Sequence, residues 1–194
     1  MSLVSIIAID KFISFMSDGR ARAERDIVSE NVKKIKKVNN KIIIGITGSL
    51  HPMKVIFEAI DKSDTFDKTN AEFMLNSLFS ILVKDTVEPI TTNTHILVGG
   101  LDSNGNIYYG GFSSNSRELE EIRVSNPNQI AFATSGGDLC SFNLQEKFNE
   151  LIVKNTRNIK SVDDLVSLQM SLNQIVAKED DTVNMNVFCE TINK

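Results

Sequence analysis

Apolar residues follow two rhythms along this chain. Short runs rich in β-branched residues alternate with longer stretches whose apolar positions recur three and four apart. Leu3 to Ile9 is an apolar run, Asp10 and Lys11 supply a turn, and Phe12 to Met16 is a second run, so the pattern predicts a buried hairpin. Residues 27–38 predict a strand, a turn and a strand, carrying Lys33, Lys34, Lys36 and Lys37. The segment "KIIIGITGS", Lys41 to Ser49, is continuously apolar and ends in a glycine turn, the pattern of a strand covered on both faces.

The helical rhythm begins at "HPMKVIFEAIDKS" (51–63), with Pro52 in the first turn and Val55, Ile56 and Ile60 on one face. Residues 68–86 place Met74, Leu75, Leu78, Phe79, Leu82 and Val83 at helical spacing, a stripe that reads as core. Strands return at 94–102 and 106–114 around the hairpin signal Ser103-Asn104-Gly105, then at 118–125 and 129–137, read as a further pair. Residues 138–154 and 161–179 are amphipathic helices, the second opened by Ser161 with Asp164 three residues on, as in a capping box. A strand over 182–193 closes the chain. This order predicts an α+β domain spanning residues 1–194. Two stacked antiparallel sheets, flanked by a helix pair on each outer side, bury every apolar face in a four-layer α-β-β-α sandwich.

Composition narrows the function classes. The formal net charge is −4, which implies no basic face and argues against a nucleic-acid partner. Cys140 and Cys189 make neither a disulfide framework nor a CxxC pair, and His51 and His95 add no familiar zinc spacing, so neither metal nor cofactor is expected. The chain has no GxxxxGK[ST] phosphate loop. No apolar run reaches the roughly 18 residues of a membrane span. The first residues lack the basic segment and cleavage site of a signal peptide, so a cytoplasmic location is expected.

Four segments carry a resemblance: "MSDGRA" (16–21), "NVKKIKKVNNKIIIGITGS" (31–49), "ILVGGLDSNGNIYYGG" (96–111) and "AFATSGG" (131–137). In this order they resemble the proteasome-type N-terminal-nucleophile hydrolases, namely proteasome β subunits and the proteasome-like peptidase of the bacterial two-part heat-shock protease. The resemblance implies the N-terminal-nucleophile hydrolase fold and cleavage of peptide or amide bonds by an N-terminal hydroxyl residue whose own α-amine is the general base. An α-amine has a reference pKa of about 7.7–8.0, so it is partly neutral near pH 7.

Carried over by position, the resemblance makes Ser2 the nucleophile, exposed on removal of Met1. Asp18 lies sixteen residues after Ser2, and Lys34 sixteen after Asp18, as in the family. Gly48 takes the place of the oxyanion-binding glycine and Ser135 that of the serine that assists the amine. Arg20, Gly136 and Asp181 are supporting residues. Threonine is the family nucleophile; serine suits the same chemistry because it also joins a hydroxyl and an amine on one residue. The resemblance further implies a homo-oligomer, as a ring or smaller assembly, and a separate ATP-dependent unfoldase.

Each residue also has a plainer reading. Asp18 and Arg20 make a strand-end ion pair, Lys34 is one of four solvated lysines, and Gly48 and Gly136 only form turns. Cys140 and Cys189 read as small core residues, Tyr108 and Tyr109 as sheet residues, and His51 as a surface residue at a helix start. Ser5, a further hydroxyl, lies along a buried strand. The second function class is a catalytically inactive homologue acting as an assembly or interaction module. The two classes part on whether an acylating inhibitor adds mass to the N-terminal residue.

Overall fold

The computed structural model describes residues 2–23, 26–62, 64, 66–84, 94–116, 118–137 and 139–194. The chain opens with a hairpin, β1 (Leu3–Ile9) and β2 (Phe12–Asp18), followed by a short ribbon, β3 (Ala21–Ala23) and β4 (Asp26–Ser29). Next come β5 (Ile35–Asn39), β6 (Ile42–Thr47) and the helices α1 (Leu50–Lys62) and α2 (Ala71–Phe79). Strands β7 (His95–Leu101), β8 (Ile107–Ser113), β9 (Leu119–Val124) and β10 (Ala131–Gly136) precede α3 (Leu144–Asn155) and α4 (Val162–Glu179). Strand β11 (Val187–Asn193) ends the chain.

The main strands form two antiparallel sheets. One has the order β10-β1-β2-β11 and the other β5-β6-β7-β8-β9. Alternation within single strands explains why the central runs are apolar throughout. In β1, Val4 and Ile6 face the opposite sheet while Leu3 and Ile7 face α3 and α4. In β6, Ile43 points between the sheets while Ile42, Ile44 and Ile46 meet the α1 and α2 side. Leu75 and Leu78 of α2 cover that outer face, and Phe148, Leu168 and Leu172 cover the other. Three apolar layers thus separate four layers of secondary structure, the expected α-β-β-α arrangement.

Sheet spacing is tuned locally by two glycines. A Cβ on Gly45 would lie 3.3 Å from the Phe15 ring, and one on Gly99 only 2.7 Å from it. The Phe15 ring of β2 therefore sits directly against backbone of the facing sheet. The predicted capping box is present: Asp164 N–H donates to Ser161 Oγ at 3.2 Å and Ser161 N–H to Asp164 Oδ2 at 2.8 Å.

Some expectations are corrected. Residues 27–38 are not one strand pair: β4 pairs with β3, and β5 pairs with β6 in the five-stranded sheet. Strands β9 and β10 do not pair either, because β9 joins β8 and β10 crosses to β1. Hairpin logic failed there because the segment between them, Ser125 to Ile130, carries the chain from one sheet to the other. Helix α2 ends at Phe79 and widens into a π-helical turn over Ser80–Lys84, while residues 85–86 of the expected helix lie outside the described residues. Helix α3 starts only at Leu144, where Asn143 caps it by accepting from Glu146 N–H. Strand β11 is shorter than expected, because 182–186 are held by side-chain bonds described below. Cys140 is half-buried against the α3–α4 core, but Cys189 is exposed on β11, an edge strand, and is not a core residue. Among the described residues, no helix is long and apolar enough to cross a membrane.

Candidate active site

The turn between β2 and β3 brings an acid inside the protein. Asp18, the last residue of β2, is fully buried, and its carboxylate accepts three hydrogen bonds. Leu3 N–H donates to Oδ1 at 2.8 Å, Arg20 N–H to Oδ2 at 2.8 Å, and Lys34 Nζ to Oδ1 at 2.6 Å. Lys34, just ahead of β5, is only 3% exposed. Burial pushes the Lys34 ammonium below the usual lysine range, while the Asp18 charge pulls the other way. Of the four clustered lysines, this one is therefore no solvated surface residue. Lys33 and Lys36 instead reach Glu190 and Asp61 at the surface.

Ser2 is held from both sides. Its neighbour Leu3 is tied to Asp18, and its carbonyl accepts from Gly137 N–H at 3.2 Å. Gly136 takes φ +95°, and a Cβ there would come within 1.5 Å of the Ser2 carbonyl oxygen. Only glycine allows this approach, so Gly136 seats the residue that precedes β1. Ser2 is 5% exposed.

Ser2, Lys34, Gly48, Arg20 and Gly136 line one cavity of about 780 Å³ at the end of the two sheets. Gly48 follows β6 with φ +104° and leads into α1, whose first turn, including His51, also borders the cavity. Ser135 does not line this cavity and borders an adjoining one. Its Oγ is 2.7 Å from Thr47 Oγ1, a buried hydroxyl pair that joins β10 of one sheet to β6 of the other. Thr47 itself borders the cavity.

The supporting residues fall into two groups. Arg20 forms a fork on Glu30, with Nε 3.2 and 3.1 Å from the two carboxylate oxygens, and donates from NH1 to the Asp181 carbonyl at 2.7 Å. The Arg20 guanidinium in turn holds the Glu30 carboxyl below the usual carboxylate range. Asp181 is placed differently from Asp18. Its side chain is 71% exposed and pairs with Arg22 at 2.8 Å. The neighbouring Asp180 is the buried acid, with no exposed surface. Its Oδ1 accepts from Thr182 N–H at 2.8 Å and from Thr182 Oγ at 2.5 Å, and its charge is close enough to favour the Lys34 ammonium.

Sequence reasoning missed Thr47, Asp180, Thr182 and Asn184. Thr182 borders the cavity. Asn184 accepts from Gly19 N–H at 2.8 Å and donates to the Glu30 carbonyl at 2.9 Å, fastening the turn after Asp18 to the last loop. The run Asp180-Asp181-Thr182 was the one available signal, since an Asp two residues before a Thr favours a local side-chain turn. Ser5 is buried in β1, where Gln169 Nε2 reaches its Oγ at 3.2 Å, away from the cavity. Among the described residues, no group of three or more His, Cys, Asp or Glu could hold a metal ion.

No family model matches the chain, and no curated protein matches it. Solved structures do. Eukaryotic HslV from Trypanosoma brucei superposes with a TM-score of 0.69 over 99% of this chain and 99% of that one, at 11% identity. The chain has the fold of HslV. The layered sheets and helix pairs described above thus agree with the fold that the four sequence segments imply. At this identity the HslV likeness establishes the architecture alone.

Proposed function

We propose that this chain is a proteasome-like N-terminal-nucleophile hydrolase that cleaves peptide or amide bonds with Ser2, once the residue ahead of it is removed. One observation carries the reading: a single buried carboxylate, Asp18, binds both the backbone beside Ser2 and the ammonium of Lys34. A buried lysine paired in this way is costly to keep unless it serves its surroundings.

In the proposed reaction the Ser2 hydroxyl attacks the substrate carbonyl carbon while the Ser2 α-amine takes the hydroxyl proton. The carbonyl oxygen becomes an oxyanion, and the backbone N–H of Gly48 at the cavity wall donates to it. Removing one such donor costs roughly 3–4 kcal/mol in other acyl-transfer sites. The carbon–nitrogen bond then breaks, and the leaving nitrogen receives the proton from the ammonium. Water attacks the resulting ester with the α-amine again as base, releasing the acid and restoring Ser2. Lys34 supplies positive charge beside the amine, favouring its neutral, proton-accepting form. Asp18 holds Lys34, and Ser135, bonded to Thr47, takes the role of the serine that assists the amine. Arg20, Gly136 and Asp181 keep the turns around Ser2 in place.

The same reading takes residues 1–194 as one such domain, working in the cytoplasm as a homo-oligomer and receiving substrates from a separate ATP-dependent unfoldase. The HslV fold supports it. A hydroxyl-directed β-lactone tests the chemistry. It is expected to add its mass to the N-terminal serine, read by intact mass and peptide mapping. Unmodified native protein without amidase activity sinks the hydrolase and leaves the inactive assembly module.

A further inference from the structure

The charge around the cavity is one-sided. Arg20, Arg22 and Lys34 line it, and among the described residues no carboxylate does. This is unusual in a chain whose formal net charge is −4. Each cation is held by an acid that does not line the cavity: Glu30 for Arg20, Asp181 for Arg22 and Asp18 for Lys34. Asp18 is buried, Glu30 is partly exposed and Asp181 lies at the surface beside Arg22; none of the three lines the cavity, so its lining carries the donors and the three cationic groups. The first turn of α1, which also borders the cavity, contains no acid to offset its backbone N–H groups.

An adjoining cavity of about 880 Å³ has the opposite character. It shares His95 and Gly136 with the first, is bordered by Glu118 and Glu120, and has no lysine or arginine among its described lining residues. An anionic group entering this end of the molecule is therefore drawn to one cavity and repelled from the other. Low-dielectric walls of one sign focus such a field and raise the local concentration of the opposite charge.

We infer that the substrate is an acidic peptide or amide, with its carboxylate on the residue whose carbonyl meets Ser2. Arg22 and Arg20 are the specificity-determining residues. This rests on the hydrolase reading for the reaction, but the preference for an anion stands on the cavity alone. The side chain nearest the attacked carbonyl occupies the space that Ser2 shares with these cations. Glutamate against glutamine is the cleanest probe, since the two differ in charge while nearly matching in shape.

The test uses two N-acylated peptide fluorogenic amides that differ only in Glu or Gln at that residue. Turnover and, independently, binding by NMR titration are measured on the native protein. The expected result is about a tenfold higher kcat/KM and tighter binding for the Glu peptide, shrinking as salt rises from roughly 50 to 500 mM because screening shortens the reach of the field. Arg22→Gln is expected to reduce the Glu-to-Gln ratio, and Arg22→Lys to restore part of it. Equal turnover of the two peptides, or equal binding, overturns the acidic preference while leaving a hydrolase. Tighter Glu binding with no turnover of either peptide sustains the preference and sinks the hydrolase reading.

Discussion

The space between the two sheets has two ends built on different rules. In its apolar part, Val4, Ile6, Phe15, Ile43, Ile107 and Val124 exclude water with no polar partner to satisfy. At the cavity end, Ser2, Asp18, Lys34, Thr47 and Ser135 are buried too. The same strands, β1, β2 and β6, run through both regions. The apolar part is governed by volume: a ring fits or it does not, and Gly45 and Gly99 make the room for Phe15. The polar end is governed by pairing: Asp18 answers Lys34, and Thr47 answers Ser135. Stability is built at one end and held in place at the other.

Four changes separate the two rules. The largest effect is on turnover. Ser2→Ala is expected to lower kcat/KM by at least about a thousandfold, as for loss of a nucleophile acting within a catalytic unit, with an unchanged melting temperature. Retained peptide hydrolysis would place the chemistry elsewhere. Asp18→Ala comes next, because it leaves the Lys34 ammonium buried without its counter-ion. The expected cost is about 3–5 kcal/mol in denaturant unfolding, and replacing both partners, Asp18→Leu with Lys34→Met, should recover much of it. A double variant no more stable than the single one would show that pairing is not what governs this end.

Phe15→Ala tests the other rule. It empties space that Gly45 and Gly99 cannot fill, and the expected loss is about 3–5 kcal/mol with no preferential effect on acylation of Ser2. A much smaller loss would mean that the sheets close over the void. Thr47→Val keeps the shape and removes one hydroxyl, leaving Ser135 Oγ without the partner now 2.7 Å away. The expected cost is about 1–3 kcal/mol, together with slower acylation. Unaltered acylation would remove Ser135 from the catalytic reading.

The smallest effect is a pH slope. Burial raises both tyrosine hydroxyls above their ordinary range, Tyr108 with added help from Glu121 and Tyr109 by burial alone. Above about pH 10 the unfolded chain loses these protons while the folded chain keeps them. Their contribution is fully present below that pH and is lost above it, by up to about 1.4 kcal/mol per pH unit for each. Lys34 acts in the opposite sense. Its lowered folded value means that the unfolded chain holds the proton longer, so its term raises stability with pH up to the ordinary lysine range. Urea unfolding from pH 8 to 11 should show Tyr109→Phe flattening the alkaline decline; an identical slope in this variant would contradict the assignment.

The site itself was partly legible. The spacing from Ser2 to Asp18 to Lys34 singled out one lysine of four, and that lysine alone makes a buried pair with Asp18. The spacing could not distinguish Asp180 from Asp181. Adjacent residues in a loop have no fixed periodicity, and only the fold turned one inward and left the other 71% exposed beside Arg22. Thr47 was hidden for another reason. As the last residue of an apolar strand it looked like a strand end, and its partner Ser135 is 88 residues away in the other sheet.

From sequence alone, this protein's local chemistry was determined: apolar runs that must be covered on both faces, helices with one apolar stripe, capping groups and glycine turns. Those follow from side-chain periodicity and backbone sterics, which act over a few residues. Tertiary structure decided which strands pair, that β9 and β10 belong to different sheets, and which acids and hydroxyls meet at the cavity. Pairing is settled by burying all faces at once, and burial gives Lys34 its buried partner and perturbed charge. No residue's own identity contains that information, because desolvation is a property of everything packed around it.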